Sequence, residues 1–212
     1  MNLINVMKVA MLILAAATMN TCKSAQENIQ ISKNQDYRSN SGIFSLKIPS
    51  DLSLGPKLNE SNNAITILDD LGGLYRIEYI KLSKEFLTDA ESKKASPLEI
   101  LQFFSVVNFF EKGLLTAIPN SKLISNKSYE GKNGIYHLML LFIPGGSSFS
   151  VNGKRSDIHR GVVTVKIDGY IFLVHTQEKM SILGKMPKLS VEELEKDLFS
   201  RGLSLIDSIQ IN

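Results

Sequence analysis

Residues 160–177 read RGVVTVKIDGYIFLVHTQ, and this stretch decides the fold. Two runs rich in Val, Ile and Phe flank Asp168-Gly169. Both central residues of a type I′ turn need positive φ, which Asp and Gly tolerate best, so the stretch predicts an antiparallel hairpin. The segment before it, 134–144 (GIYHLMLLFIP), follows Asn133-Gly134, a second signal of the same kind. Its residues 135–143 are apolar at odd and even positions alike, with Leu138, Leu140 and Phe142 set against Met139, Leu141 and Ile143. A strand apolar on both sides belongs in the middle of a sheet covered on both faces.

Working outward, 121–131 (SKLISNKSYEG) supplies another strand on the N-terminal side. Earlier in the chain, 42–49 (GIFSLKIP) reads as a first strand ended by Pro49. Segments 64–70 (AITILDD) and 74–82 (LYRIEYIKL) form two more around Gly72-Gly73. In the latter, Arg76 and Glu78 alternate with Tyr75, Ile77 and Tyr79, so one face meets a core and the other water. Segment 87–95 (LTDAESKKA) is polar and reads as a loop.

Ser96-Pro97 then opens a helix, with Ser96 as N-cap and Pro97 in the first helical position. Ile100, Phe103, Phe104, Val107 and Phe110 recur at helical spacing, while Glu99, Gln102, Ser105 and Asn108 form a narrow polar stripe. The helix is expected over 97–112, deep against the sheet and closed by Gly113. Ser190 with Glu193 is a capping box for a second helix, expected to run to Ser200, to end at Gly202 and to lead into a terminal strand, LSLIDSIQI. Consecutive hairpins with two main helices predict an α+β fold: a mainly antiparallel sheet with the helices packed on it.

That order resembles the PsbP/Mog-like superfamily of small α+β domains. Three segments carry the resemblance: GIFSLKIPSDL, close to the family's "g-fsi-P--w"; KNGIYHLMLLF with VTVKIDGYIFLVHTQ; and the closing SLIDSIQI, close to "i--Si-f". Leu52-Ser53-Leu54 stands where members commonly carry Trp, and the chain has no Trp. The resemblance covers nearly the whole of 42–212 and implies a role in protein binding or assembly more often than catalysis, by analogy of fold.

The N-terminus addresses location. Lys8 precedes the unbroken apolar run from Val9 to Ala17, followed at position 22 by the chain's one cysteine. A run this short does not span a bilayer and reads as a signal peptide, 1–21. Met19, Asn20 and Thr21 precede Cys22 in a segment that resembles a bacterial lipoprotein signal, so Cys22 is expected to be the lipidation site. The competing reading is cleavage after Ala15-Ala16-Ala17, which leaves a free thiol. Residues 22–41, rich in Ser, Asn, Gln and Lys, are expected to be a flexible tether, with an edge strand through Ile29 and Ile31 as the alternative. Residues 42–212 have the length of one domain. The expected location is the bacterial cell envelope, on the periplasmic side, with membrane attachment through the N-terminal lipid. In the lipoprotein families this signal resembles, an Asp after the cysteine favours inner-membrane retention; Lys23 stands there, and the resemblance thus implies the outer membrane.

Composition narrows the chemistry. One cysteine allows neither an internal disulfide nor a thiolate metal cluster, and no metal or cofactor is expected. The 24 basic and 21 acidic residues give +3, too little to argue for nucleic acid. No serine sits in G-x-S-x-G, and Ser148 occupies the first glycine position of a phosphate loop ending at Gly153-Lys154. His137 and His175 read as packed histidines on strands. Asp157 and His159, two apart, would share a face of an extended strand and could orient a general base, or form a solvated ion pair.

The remaining candidate is the loop 144–161, long, glycine-containing and locally basic. Phe149, Lys154, Arg155, His159 and Arg160 are its expected partner-binding residues. The leading expectation is therefore a non-catalytic binding or assembly module with an envelope protein partner. The alternatives are a carrier of a small apolar ligand between helix 97–112 and the sheet, and an enzyme centred on Asp157 and His159.

Overall fold

The computed structural model describes residues 29–52, 55–107, 118–148, 150–151, 153–179 and 188–212. Its centre is an eight-stranded sheet in which all neighbours are antiparallel. In chain order the strands of the molecule are β1 (Ile29–Gln30), β2 (Asp36–Arg38), β3 (Phe44–Lys47), β4 (Lys57–Ser61), β5 (Ala64–Leu68) and β6 (Leu74–Lys81). They continue with β7 (Lys122–Gly131), β8 (Gly134–Ile143), β9 (Ser150–Val151), β10 (Lys154–Arg155), β11 (Ile158–Ile167), β12 (Tyr170–Gln177) and β13 (Gln210–Ile211). The large sheet runs β1-β4-β5-β6-β12-β11-β8-β7. Strands β13-β3-β2 form a second sheet, and β10-β9 a two-stranded one. The helices among the described residues are α1 (Lys84–Ser92), α2 (Pro97–Val106) and α3 (Val191–Asp207). The architecture is α+β, as the hairpin pattern predicts.

The deciding stretch folds as read. Ile167 pairs with Tyr170, Asp168 has φ 43° and Gly169 φ 81°, the two positive values of a type I′ turn. A Cβ at Gly169 would meet nothing within 4 Å, so a substitution there isolates the backbone term. Gly169→Val is expected to lower stability by about 1 kcal/mol or more, because a β-branched residue resists positive φ. An unchanged urea midpoint would contradict this reading of the turn. The second hairpin differs in detail: Gly131 pairs with Gly134, Lys132 and Asn133 make the loop, and only Gly134 takes positive φ. Asn133-Gly134 is therefore not a type I′ centre.

Strand β8 lies between β11 and β7, and β12 between β11 and β6. Both are covered on each face. One face (Tyr136, Leu138, Leu140, Val163, Val165, Phe172, Val174) packs against Leu194, Leu198, Leu205 and Ile206 of α3. Phe44 of β3 closes the same core edge-on to Tyr79 and Phe172, at 5.1 and 5.3 Å between ring centroids. The opposite face (Met139, Leu141, Ile143, Val162, Ile171, Leu173) packs against Leu101 and Phe104 of α2, with Phe86 and Leu87 of α1 beside them. Each such side chain removed from water contributes roughly 1.5–3 kcal/mol.

Several elements depart from expectation, each for a local reason. Segment 87–95 is mostly helix: Ser83 caps α1 by accepting from the Phe86 amide, and Lys93 pairs with Asp89 one turn before it. Strand β4, polar in sequence, is held by β5 on one side and β1 on the other, with only Leu58 turned fully inward. Segment 42–49 joins the small sheet and not the large one. The tether expectation for 22–41 is corrected over its described part. β1 pairs with β4, β2 pairs with β3, and Ile31 and Ser39 are buried.

Both capping boxes form as expected, at Ser96 with Glu99 and at Ser190 with Glu193. The helix expected over 97–112 is described to Val107, and its closing Gly113 lies outside the described residues. Helix α3 does not stop at Gly202 but runs to Asp207, leaving only Gln210–Ile211 as terminal strand. Gly202 is a close-approach residue: a Cβ there would lie 2.7 Å from Val163 Cγ2 of β11.

Candidate functional site

The expected site residues do not gather into one surface. Cys22 and Phe149 lie outside the described residues. The rest of 144–161 is not one loop: β11 begins at Ile158, so His159 and Arg160 belong to the large sheet. Successive residues of a strand point to opposite faces, and these two do. His159 stands beside Phe142, ring centroids 5.4 Å apart, on the face that carries α3. Arg160 lies across from Gln177 on the face that carries α2.

The Asp157–His159 pairing does not form. Asp157 Oδ1 accepts from the Gly145 amide at 2.8 Å. His159 Nδ1 instead meets Glu178 Oε2 at 3.0 Å, and the same carboxylate accepts from the His159 amide. Asp157 is thus a latch at the base of the loop, and the geometric premise of the Asp157–His159 enzyme is removed.

Arg160 is also not a surface cation. Burial first, then the nearby charge of Arg76, lowers its pKa to about 10, with Glu78 opposing. It belongs to a polar patch built across four strands. Arg76 of β6 bonds Glu78 at 2.6 Å and Thr66 of β5 at 3.3 Å, while His175 of β12 has Nε2 3.8 Å from Glu78. Burial pushes His175 down to about 4, Glu78 pulling it back and Arg160 and Arg76 adding to the fall. Burial works to raise Glu78, but the positive charges of protonated His175 and of Arg76 leave it below the usual carboxylate range.

What projects is smaller and better defined. β9 and β10 form a hairpin apart from both larger sheets, with Lys154 and Arg155 exposed on it. Its base is tied at four points. Gly145 donates to Asp157, Ser147 N to Ser156 O at 3.1 Å, Ser156 N to Ser147 Oγ at 2.9 Å, and Gln177 Nε2 to Ser148 Oγ at 3.0 Å. A short basic hairpin on a fixed base presents two cations at little further ordering cost on binding.

Two constellations were not legible in the sequence. Ser105 Oγ is 2.8 Å from His137 Nδ1, and His137 Nε2 is 2.8 Å from Asn126 Oδ1. This has the connectivity of a nucleophile, base and orienting group, spread over α2, β8 and β7. Ser105 is 1% exposed and His137 2%, and Ser105 Oγ donates to the Leu101 carbonyl at 3.0 Å. A substrate carbonyl has no approach to that oxygen, so the chain satisfies buried polar groups behind α2. Burial also lowers the His137 pKa, keeping the ring neutral.

The other is a cleft of about 350 Å³ between the turn after β3 and the outer half of α3. Asp51, Tyr75 and Arg201 line it together with Lys47, Ser50 and Ser204. Arg201 Nε lies 3.0 Å from Asp51 Oδ2 and donates to Tyr75 Oη at 3.2 Å, while Nη1 bonds the Gln177 carbonyl at 2.9 Å. Burial opposes ionisation of Asp51, yet hydrogen bonds from Lys179 and Tyr75 and the Arg201 charge hold it below the usual range. Asp51, Tyr75 and Arg201 thus tie the turn after β3 to α3, while Arg201 Nη2 is buried without a hydrogen-bond partner among the described residues.

No protein-family model matches the chain, and no curated protein matches it. Among solved structures it is similar to the solution structure of cyanobacterial PsbP (CyanoP) from Synechocystis sp. PCC 6803, at 10% identity and a TM-score of 0.48, over 92% of this chain and 99% of that one. It is also similar to a crystal structure from Bacteroides thetaiotaomicron VPI-5482 at 1.50 Å resolution, at 13% identity and a TM-score of 0.39, over 85% of this chain and 49% of that one.

Proposed function

We propose that this chain is an exported protein, lipid-anchored through Cys22 on the periplasmic side of the outer membrane, that acts as a non-catalytic binding or assembly module. Its contact surface is the β9–β10 hairpin, and its partner is an envelope protein with an acidic face. The observation that carries the reading is the hairpin itself: Lys154 and Arg155 stand exposed on a base tied down by Ser147, Ser156, Asp157 and Gln177. The acid–base candidates support the same reading from the other side. His159 is engaged by Glu178, and Ser105 and His137 are enclosed behind α2. No helix among the described residues is long and apolar enough to cross a membrane. Attachment in this reading rests on the lone cysteine behind the apolar run of 9–17.

Cys22→Ala is expected to move the protein from the membrane to the soluble envelope fraction and to change the N-terminal mass. Membrane attachment and N-terminal mass identical to wild type would remove the lipid anchor from the proposal. Affinity capture from membranes with the lipidated chain identifies the partner whose binding the hairpin is expected to control.

A further inference from the structure

The large sheet has two unlike edges. At one end β1 is described over two residues, Ile29–Gln30; at the other, β7 runs ten residues from Lys122 to Gly131 with no strand beyond it among the described residues. Alternate backbone N–H and C=O groups of β7 therefore face outward, a template for a further strand. Two of the four exposed large apolar side chains among the described residues lie on this strand, Ile124 at 38% and Tyr129 at 49%. Ile124 sits at the bulge where the register with β8 slips between Leu123 and Ser125, so the regular length available for pairing is 125–131.

We infer that β7 pairs antiparallel with the β7 of a second copy of this chain, about a two-fold axis at Ser128. The register follows from the charges. Centred on Ser128, Lys127 of one copy lies opposite Tyr129 of the other, and Asn126 opposite Glu130. Each pair shares a sheet face, since Lys127 and Tyr129 stand across from Leu138 and Tyr136 of β8, and Asn126 and Glu130 across from Met139 and Ile135. Lys127, whose ammonium is held by Glu195 of α3, then lays its aliphatic stem against the exposed Tyr129 ring. Asn126, whose Oδ1 is occupied by His137, has its amide N–H free to donate to the Glu130 carboxylate. Centring on Lys127 instead would set two lysines directly opposite, which is unfavourable. Pairing β7 with itself about a two-fold axis uses the same edge on both copies, so the assembly closes as a dimer.

Light scattering of the full chain carrying Cys22→Ala, at the highest soluble concentration, is expected to give twice the mass of one chain. Ile124→Lys with Tyr129→Lys is expected to halve it, with circular dichroism unchanged. In the same background Ser128→Cys is the sole thiol, lies at the axis and is expected to link two copies by a disulfide under oxidising conditions. Should the double-lysine variant misfold, the Ser128→Cys result decides alone. A single-chain mass with Ser128→Cys unlinked overturns the inference, as does a double mass that survives in the folded double-lysine variant. A monomer whose β7 takes up a strand of a different protein replaces the second copy and likewise overturns it. The dimer does not involve Lys154 or Arg155, so its failure leaves the hairpin reading standing, and the reverse.

Discussion

Gly161→Val is expected to destabilise the protein by about 3 kcal/mol, near the upper end for overpacking a core. Gly161 lies in β11 directly beneath α3. A Cβ there would stand 2.7 Å from Leu198 Cβ, 2.9 Å from Thr176 Oγ1 and 3.4 Å from the Leu198 carbonyl carbon. The first and last of these belong to the root and backbone of the helix and have no rotamer to escape into. The hydrogen bond from Thr176 Oγ1 to the Leu198 carbonyl, at 2.8 Å, crosses the same gap and fixes the helix at that height. Valine would lift α3 and open the core around Leu194, Leu198 and Leu205. At this chain length the loss corresponds to a fall in Tm of roughly 10 °C. Gly202→Ala is expected to cost less: its one close contact is the Val163 Cγ2 methyl, with no backbone atom in the way, and alanine regains about 1 kcal/mol of helix propensity. A Gly161→Val protein melting with wild type would mean that α3 does not depend on this contact.

Stability is expected to fall by about 3 kcal/mol as pH drops from 6.5 to 4, through His175. The ring is buried on the sheet face beside Glu78, Arg76 and Arg160, and its pKa is lowered from 6.5 to about 4. Between these values the unfolded chain binds the proton and the folded one does not. The contribution is therefore fully present above pH 6.5 and is lost as pH falls toward 4. Glu78, also held low in the folded state, is protonated more readily on unfolding and acts in the same direction. Urea midpoints measured between pH 7 and 4 check this. His175→Gln is expected to remove most of the slope above pH 4.5, and an equally steep curve in that variant would assign the acid sensitivity elsewhere.

Patterns that repeat over one strand or one turn were legible in the sequence. The continuous apolar run of β8, the Asp168-Gly169 turn and the two capping boxes each carry their own cause, so tertiary context had nothing to overturn. Gly202 was not legible, because a glycine that ends a helix and one that lets a helix approach a strand look alike until Val163 is seen above it. Helix α1 hides for a different reason. Its apolar residues Phe86 and Leu87 are adjacent, its other turn is charged, and the cap at Ser83 directly follows a strand. The separation of His159 and Arg160 from the rest of the loop was available in the sequence. Alternation along β11 already puts Arg160 with Val162 and Thr164, and His159 with Gly161 and Val163, on opposite faces. Asn126 and His137 face each other across the β7–β8 hairpin, but Ser105 comes from α2, and no spacing rule could have joined it to them.

The hairpin account is tested most directly by measuring binding of the partner captured from membranes to wild type and to Lys154→Ser with Arg155→Ser. Arg160 is left in place because it belongs to the sheet face. Both substituted residues are exposed, so the variant is expected to fold and melt as wild type does. Binding is expected to fall at least tenfold in the variant, and wild-type binding to weaken steadily as salt is raised, since exposed charges are screened. Full binding by the double variant at low salt would contradict the account, and so would a turnover that His159→Ala abolishes.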